Sequence, residues 1–275
     1  MKSKIILIFV LLPVIAFAET YRETRNLELP AGGLHELSVH CGAGELTLKG
    51  IEGTDSIHVL AEIESEGTDK EEFQLLADKL IWLDLRREYN RALLTGNVVI
   101  PPLTNIDARI HLRIQLPVNM NVRIIDGSGS IDIANIVGNL SIDDDSGAIT
   151  AENITGRIRI EDGSGKINIQ DVQGKLEIVD GSGKIVIQHV SGDVTINDAG
   201  GAIEVNDIGG SVTVSDGSGS IDIYRVEKNV FIREPGSGAL DVDGVQGMVT
   251  IREYEEKSES RMSKERPTAG LSDED

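Results

Sequence analysis

Aromatic residues are scarce: one tryptophan, four tyrosines and four phenylalanines in 275 residues. That speaks against a protein that grips sugar rings on aromatic platforms. Cys41 is the only cysteine, so no disulfide can form within the chain, and stability must come from packing and backbone pairing. Basic groups are outnumbered, 26 against 46 acidic, for a formal charge of −20. Repulsion by phosphate excludes nucleic acid and anionic lipid as natural partners. Long apolar runs are also missing beyond the first eighteen residues.

Those eighteen read as a secretory signal peptide. Lys2 and Lys4 form a positive start, Ile5 to Phe17 an apolar core, and Ala16-Phe17-Ala18 an A-x-A site, with cleavage predicted before Glu19. The core is about 13 residues, short of the roughly 20 that span a bilayer. Loss of both lysines leaves 24 basic groups against 46 acidic, formally −22. The expectation is an exported protein, periplasmic or at the cell surface.

Glycine and aspartate, by contrast, are abundant and periodic. DGSG occurs at 126–129, 162–165, 180–183 and 216–219, with DDSG at 144–147 and DAGG at 198–201. The first aspartate recurs every 18 residues, from Asp126 through Asp144, Asp162, Asp180 and Asp198 to Asp216. Numbered from that aspartate, positions 6, 8, 11, 15 and 17 are aliphatic. Of 35 such places in seven copies, 34 are Ile, Leu or Val, and Ala151 is the exception. Glycine holds position 4 in every copy and position 13 in all but one, where Lys228 stands.

Gly-x-Φ-x-Φ, with Φ aliphatic, is thus written twice per copy. Alternation of this kind makes a short strand with one buried face, and the glycines between strands supply corners. No single copy can bury its own apolar face, so the copies must stack. The fold class expected is all-β: a parallel β-solenoid with 18-residue coils and two short strands per coil. Seven coils at about 4.8 Å make a stack roughly 34 Å long. A left-handed hexapeptide helix also uses 18 residues per turn, but its aliphatics fall six apart, whereas here the steps are 2, 3, 4, 2 and 7.

The expected organisation is a signal peptide at 1–18, N-terminal strands and a first coil at 19–59, a strand-rich insertion at 60–125, seven regular coils at 126–252, and a charged, disordered tail at 253–275. Within the insertion, Phe73, Leu76, Ala77 and Leu80 have helical spacing, IWLDL (81–85) reads as a strand, and residues 106–124 alternate as long strands with Pro117 at a bend or edge.

The strand-and-turn run IHLRIQLPVNMNVRIIDGSGSIDI (110–133), followed by SGxIxI and VxGxVxI units, resembles the bacterial putative-adhesin β-solenoid family of secreted and envelope proteins. The resemblance covers about residues 35–252. It implies the fold and an envelope setting, and no catalytic residues.

Candidate chemistry is weighed column by column. The column Asp126, Asp144, Asp162, Asp180, Asp198 and Asp216 offers carboxylates for calcium, as in β-rolls. Rolls need aspartate two places after the glycine, however, and here that place is isoleucine, as in Gly129-Ser130-Ile131. The expected role is an Asx-type turn, each carboxylate accepting backbone N–H bonds on an exposed edge. In water, repulsion at coil spacing costs only about 0.9 kcal/mol. Ser128, Ser164, Ser182 and Ser218 are equivalent corner residues with no base beside them, unsuited to nucleophilic catalysis. The turns open strands rather than helices, so they are not phosphate-cradling loops. Cys41 stands in the aspartate column as a small corner residue. One coil departs from consensus and gathers Tyr224, Arg225, Lys228, Phe231 and Arg233, a candidate partner patch.

The function expected is a non-enzymatic envelope scaffold or recognition surface, binding a protein or surface-glycan partner and using no cofactor. The alternatives are a calcium-stabilised adhesin and a carbohydrate-active β-helix enzyme. Uncovered stack ends leave self-association open.

Overall fold

The computed structural model describes residues 20–66, 70–99 and 107–252. The candidate signal peptide and the charged tail lie outside them. The chain runs through β1 (Thr20–Pro30), β2 (Glu36–Cys41), β3 (Leu46–Ile51), β4 (Ser56–Glu66), α1 (Lys70–Lys79), β5 (Ile81–Glu88), β6 (Arg91–Val98) and β7 (Asp107–Pro117). Regular coils follow as strand pairs: β8 (Asn121–Asp126) with β9 (Ile131–Val137), β10 (Leu140–Asp144) with β11 (Ile149–Thr155), and β12 (Ile158–Asp162) with β13 (Ile167–Gln173). Next come β14 (Leu176–Asp180) with β15 (Gly183–Val190), β16 (Val194–Asp198) with β17 (Gly201–Ile208), and β18 (Val212–Asp216) with β19 (Ile221–Val226). The last are β20 (Val230–Pro235), β21 (Leu240–Val245) and β22 (Val249–Ile251).

The protein is a parallel β-solenoid. Odd-numbered strands from β9 to β21 line one eleven-stranded sheet and even-numbered strands from β8 to β22 the other. Each strand pairs in parallel with the strand one coil on. Ile131 lies opposite Ile149, Ile149 opposite Ile167, and Ile167 opposite Ile185. All four are fully buried, in one core shared by both sheets.

Backbone geometry explains the irregular aliphatic spacing. The step of three between positions 8 and 11 brackets a left-handed residue at position 10: Asn135, Asn153, Asp171, His189, Asp207 and Arg225, with φ between 54° and 62°. This residue drops out of the pairing ladder, so Ala134 pairs with Glu152 and the next pair is Ile136 with Ile154. One skipped place restores the inward direction at position 11. The position-4 glycines answer a second demand. Gly165 has φ 145°, and a β-carbon there would overlap the backbone of Gly147 in the coil before. The last copy is one residue longer than the others, with Leu240 nineteen after Ile221, and the extra residue is absorbed as a bulge at Arg233, between the pairs Val214–Ile232 and Ser215–Glu234.

The N-terminal region extends both sheets, but not in chain order. The coil of β2 and β3 sits between β6–β7 and β8–β9. The chain leaves β7, passes that earlier coil, and re-enters the stack at β8. Beyond β6–β7 the pairing turns antiparallel: β5 on β6 in one sheet, β4 on β7 and β1 on β4 in the other. Helix α1 packs on this end with Phe73, Leu76 and Ala77 buried and the Phe73 ring stacked on Tyr21, centroids 5.8 Å apart. The Arg25 guanidinium donates to the Ala77 carbonyl at 2.7 Å, satisfying a carbonyl near the end of the helix. At the other end β22 leaves Val249 and Ile251 exposed.

Candidate functional site

The aspartate column makes the turns the sequence implied. Asp144 Oδ1 accepts from the Ser146 N–H at 3.3 Å, Asp162 from Ser164 at 3.2 Å, Asp180 from Ser182 at 3.2 Å, Asp198 from Gly200 at 2.9 Å and Asp216 from Ser218 at 3.0 Å. The expected exposed edge is wrong, however. Asp126, Asp144, Asp162, Asp180, Asp198 and Asp216 are 5, 3, 7, 3, 3 and 1 % exposed. The reason is strand parity. Each aspartate closes a strand two places after an inward aliphatic, as in Leu140, Ile142, Asp144, so it points inward as well.

Burial changes the electrostatics. Each Oδ2 is enclosed and without a hydrogen-bond partner. At an effective dielectric near 20, neighbouring charges at coil spacing repel by about 3 to 4 kcal/mol rather than about 0.9. Desolvation pushes all six carboxyls above the ordinary range. Asp144 is raised to about 7 by burial and then by Asp126 and Asp162; Asp180 to about 6 by burial and then by Asp198 and Asp162.

Calcium takes roughly six to eight oxygens. The column supplies one carboxylate per coil in a line, and among the described residues no three His, Cys, Asp or Glu side chains gather as metal ligands. Cys41 continues the line beyond Asp126: its Sγ lies 3.8 Å from the Ile125 carbonyl oxygen, and burial followed by Asp126 pushes its thiol up. A thiol held protonated is a poor nucleophile.

The candidate patch is divided between faces. Tyr224 lies on the outer side of β19, its hydroxyl donating to Asp241 at 2.7 Å, which raises the phenol to about 12. Phe231, 37 % exposed, lies on the outer side of β20 in the opposite sheet. Arg225 and Lys228 are exposed in the corner between them, and Arg233 is exposed in the bulge.

Two arrangements escaped the sequence reading. The left-handed column is a side-chain ladder at a corner: Asn153 donates to Asn135 at 2.7 Å, His189 lies between Asp171 at 3.0 Å and Asp207 at 3.4 Å, and Arg225 pairs with Asp207. Asn153, Asp171, His189 and Asp207 of this column line a shallow groove of about 510 Å³ with Gln173 and Glu227. The period of 18 carried that signal, since Asn and Asp are the residues that best tolerate this backbone. The other is Ser38 with His40 at 3.3 Å, two places apart on β2. The repeated corner serines show no such contact; their N–H groups serve the turns.

No protein-family model matches the chain, and no curated protein does. Among solved structures it is similar to a putative cell adhesion protein from Clostridium sporogenes, at 16% identity and TM-score 0.35 over 84% of this chain and 99% of that one. It is similar to a putative lipid binding protein from Parabacteroides distasonis, at 14%, TM-score 0.41, over 83% and 93%. A putative adhesin from the same organism matches at 13%, TM-score 0.32, over 84% and 97%. Two of the three carry the adhesion name of the family that the sequence resembles. At these TM-scores nothing about function rests on them. Among the described residues no helix is long and apolar enough to cross a membrane.

Proposed function

We propose that this chain is an exported, non-enzymatic scaffold or recognition surface of the cell envelope, presenting flat polar sheet faces to a protein or glycan partner. The observation that carries this is the regular outer surface. Ion pairs tie one coil to the next: Arg159 to Glu177 and Lys175 to Asp193 at 2.9 Å, each joining equivalent positions, and Lys184 diagonally to Glu204 at 2.9 Å. Such pairs contribute little to stability, but they hold polar groups at a fixed spacing of about 4.8 Å over many coils. A repeated polymer or an extended partner can match that spacing at several points at once, and linked weak contacts gain avidity.

The test uses the mature protein against envelope fractions and a glycan panel, with Tyr224→Ser and Phe231→Ser assayed separately because they lie on opposite faces. Saturable capture lost in one variant and kept in the other supports the proposal and names the face. Turnover of a polysaccharide, abolished by a single acidic substitution, would replace it with an enzyme.

A further inference from the structure

We infer that the buried aspartate column is a proton-binding array, in which protonated and ionised carboxyls alternate along the stack so that no two neighbours are charged. Three observations converge. The six side chains lie in strict register, Asp126 opposite Asp144 and so on to Asp198 opposite Asp216. Each Oδ2 is enclosed and unpartnered, and an ionised oxygen in that state is costly. No Arg, Lys or His among the described residues pairs with any of them; Arg159, Lys175, Lys184, His189 and Arg225 pair with outward acids instead.

The titratable groups facing the column are few. Cys41 adjoins Asp126 at one end, and Asp145 lies beside Asp126 and Asp144. At the far end Asp216 pairs with Pro235, which has no charge, and its Oδ2 lies against Gly236. Hence the counter-charge must come from solution. A metal ion needs several donors, and among the described residues no three His, Cys, Asp or Glu side chains gather as ligands. A proton needs no room. Burial raises all six carboxyls, and repulsion between adjacent members of the column adds to it.

The direction of the linkage follows. A carboxyl whose pKa is higher folded than unfolded binds its proton preferentially in the folded state. Its contribution is fully present below the unfolded value, near 4, and is lost as pH rises through about 6 to 7. The stack therefore tightens on mild acidification. Each such proton lowers the unfolding constant by up to about tenfold per pH unit within that window.

The experiment is urea unfolding of the mature protein from pH 5 to 8, for wild type, Asp144→Asn, Asp180→Asn and the exposed control Asp143→Asn. Wild type and the control should gain stability steeply on acidification. The two column variants should equal or exceed wild type at pH 8 and show a flatter profile. Profiles parallel to wild type in both column variants overturn the proposal. Carboxyl carbon NMR of the folded wild type tests it even if a variant fails to fold. Aspartate resonances with midpoints above pH 5 are expected, and titration of every aspartate below pH 5 contradicts it. A saturable rise in melting temperature with calcium or sodium at pH 8, absent in Asp144→Asn, would assign the column to a metal cation and overturn the proton.

Discussion

The N-terminal cap and the regular stack solve the same problem in different ways. From residue 121 to 232, each coil buries its aliphatics against a like neighbour, and the register repeats from Leu140–Ile158 to Val212–Val230. From 20 to 117 only the β2–β3 coil keeps the register, chain order is scrambled, and closure depends on antiparallel strands and on single residues such as Phe73 and Leu76. A parallel stack cannot end itself, because its last coil always presents unpaired edges and open aliphatic columns. The cap shows what ending requires: a change of strand direction, a helix, and residues used once.

Glycines stacked between coils differ sharply from those in open loops of the cap. Gly165→Val should prevent the stack from folding, because both the φ of 145° and the Gly147 backbone oppose a side chain. Gly53→Ala in the cap faces open space at φ 75° and should cost only about 1 kcal/mol. Circular dichroism and urea unfolding of both variants compare them, and equal losses would mean that the coils are not in close contact.

Core truncations come next. Ile160→Ala, fully buried between two identical coils, should cost about 3 to 4 kcal/mol and lower the single transition. Phe73→Ala should act locally, raising hydrogen exchange in β1, β5 and α1 while β12 to β18 stay protected. Opening of the whole array by Phe73→Ala would show that cap and stack are one cooperative unit.

Two smaller effects concern charge. The column makes stability rise from pH 8 toward pH 5. The exposed acids lowered by partners, Asp193 by Lys175 and Asp207 by Arg225, lose their small contributions as pH falls below about 4. A stability maximum near pH 4 is expected, and a flat profile from 5 to 8 would count against the column's role. Removing an outward pair, Arg159→Ala, should leave the unfolding midpoint within experimental scatter.

The stack was legible because one physical rule is applied in every coil: Ile131, Ile149 and Ile167 share a column since each faces the same surroundings. Helix α1 and β5 were readable from local spacing, at Phe73, Leu76 and Ala77 and in IWLDL. The passage of β7 past the β2–β3 coil was not, because order along a stack is set by long-range pairing that leaves no period in the sequence. The aspartates illustrate a different failure. Their charge suggested solvent, yet the alternation Leu140, Ile142, Asp144 already placed them inward. Arg225 hid part of the left-handed column, since arginine, unlike Asn, Asp and His, does not announce a positive φ.

Spin-label distances test the stacking of coils most directly. In a Cys41→Ser background, Ser141→Cys is paired in turn with Thr195→Cys, Thr213→Cys and Thr250→Cys, all on the outer face of one sheet. Mean separations should rise in equal steps of about 4.8 Å per coil. Separations that fail to grow with the number of intervening coils would contradict the account.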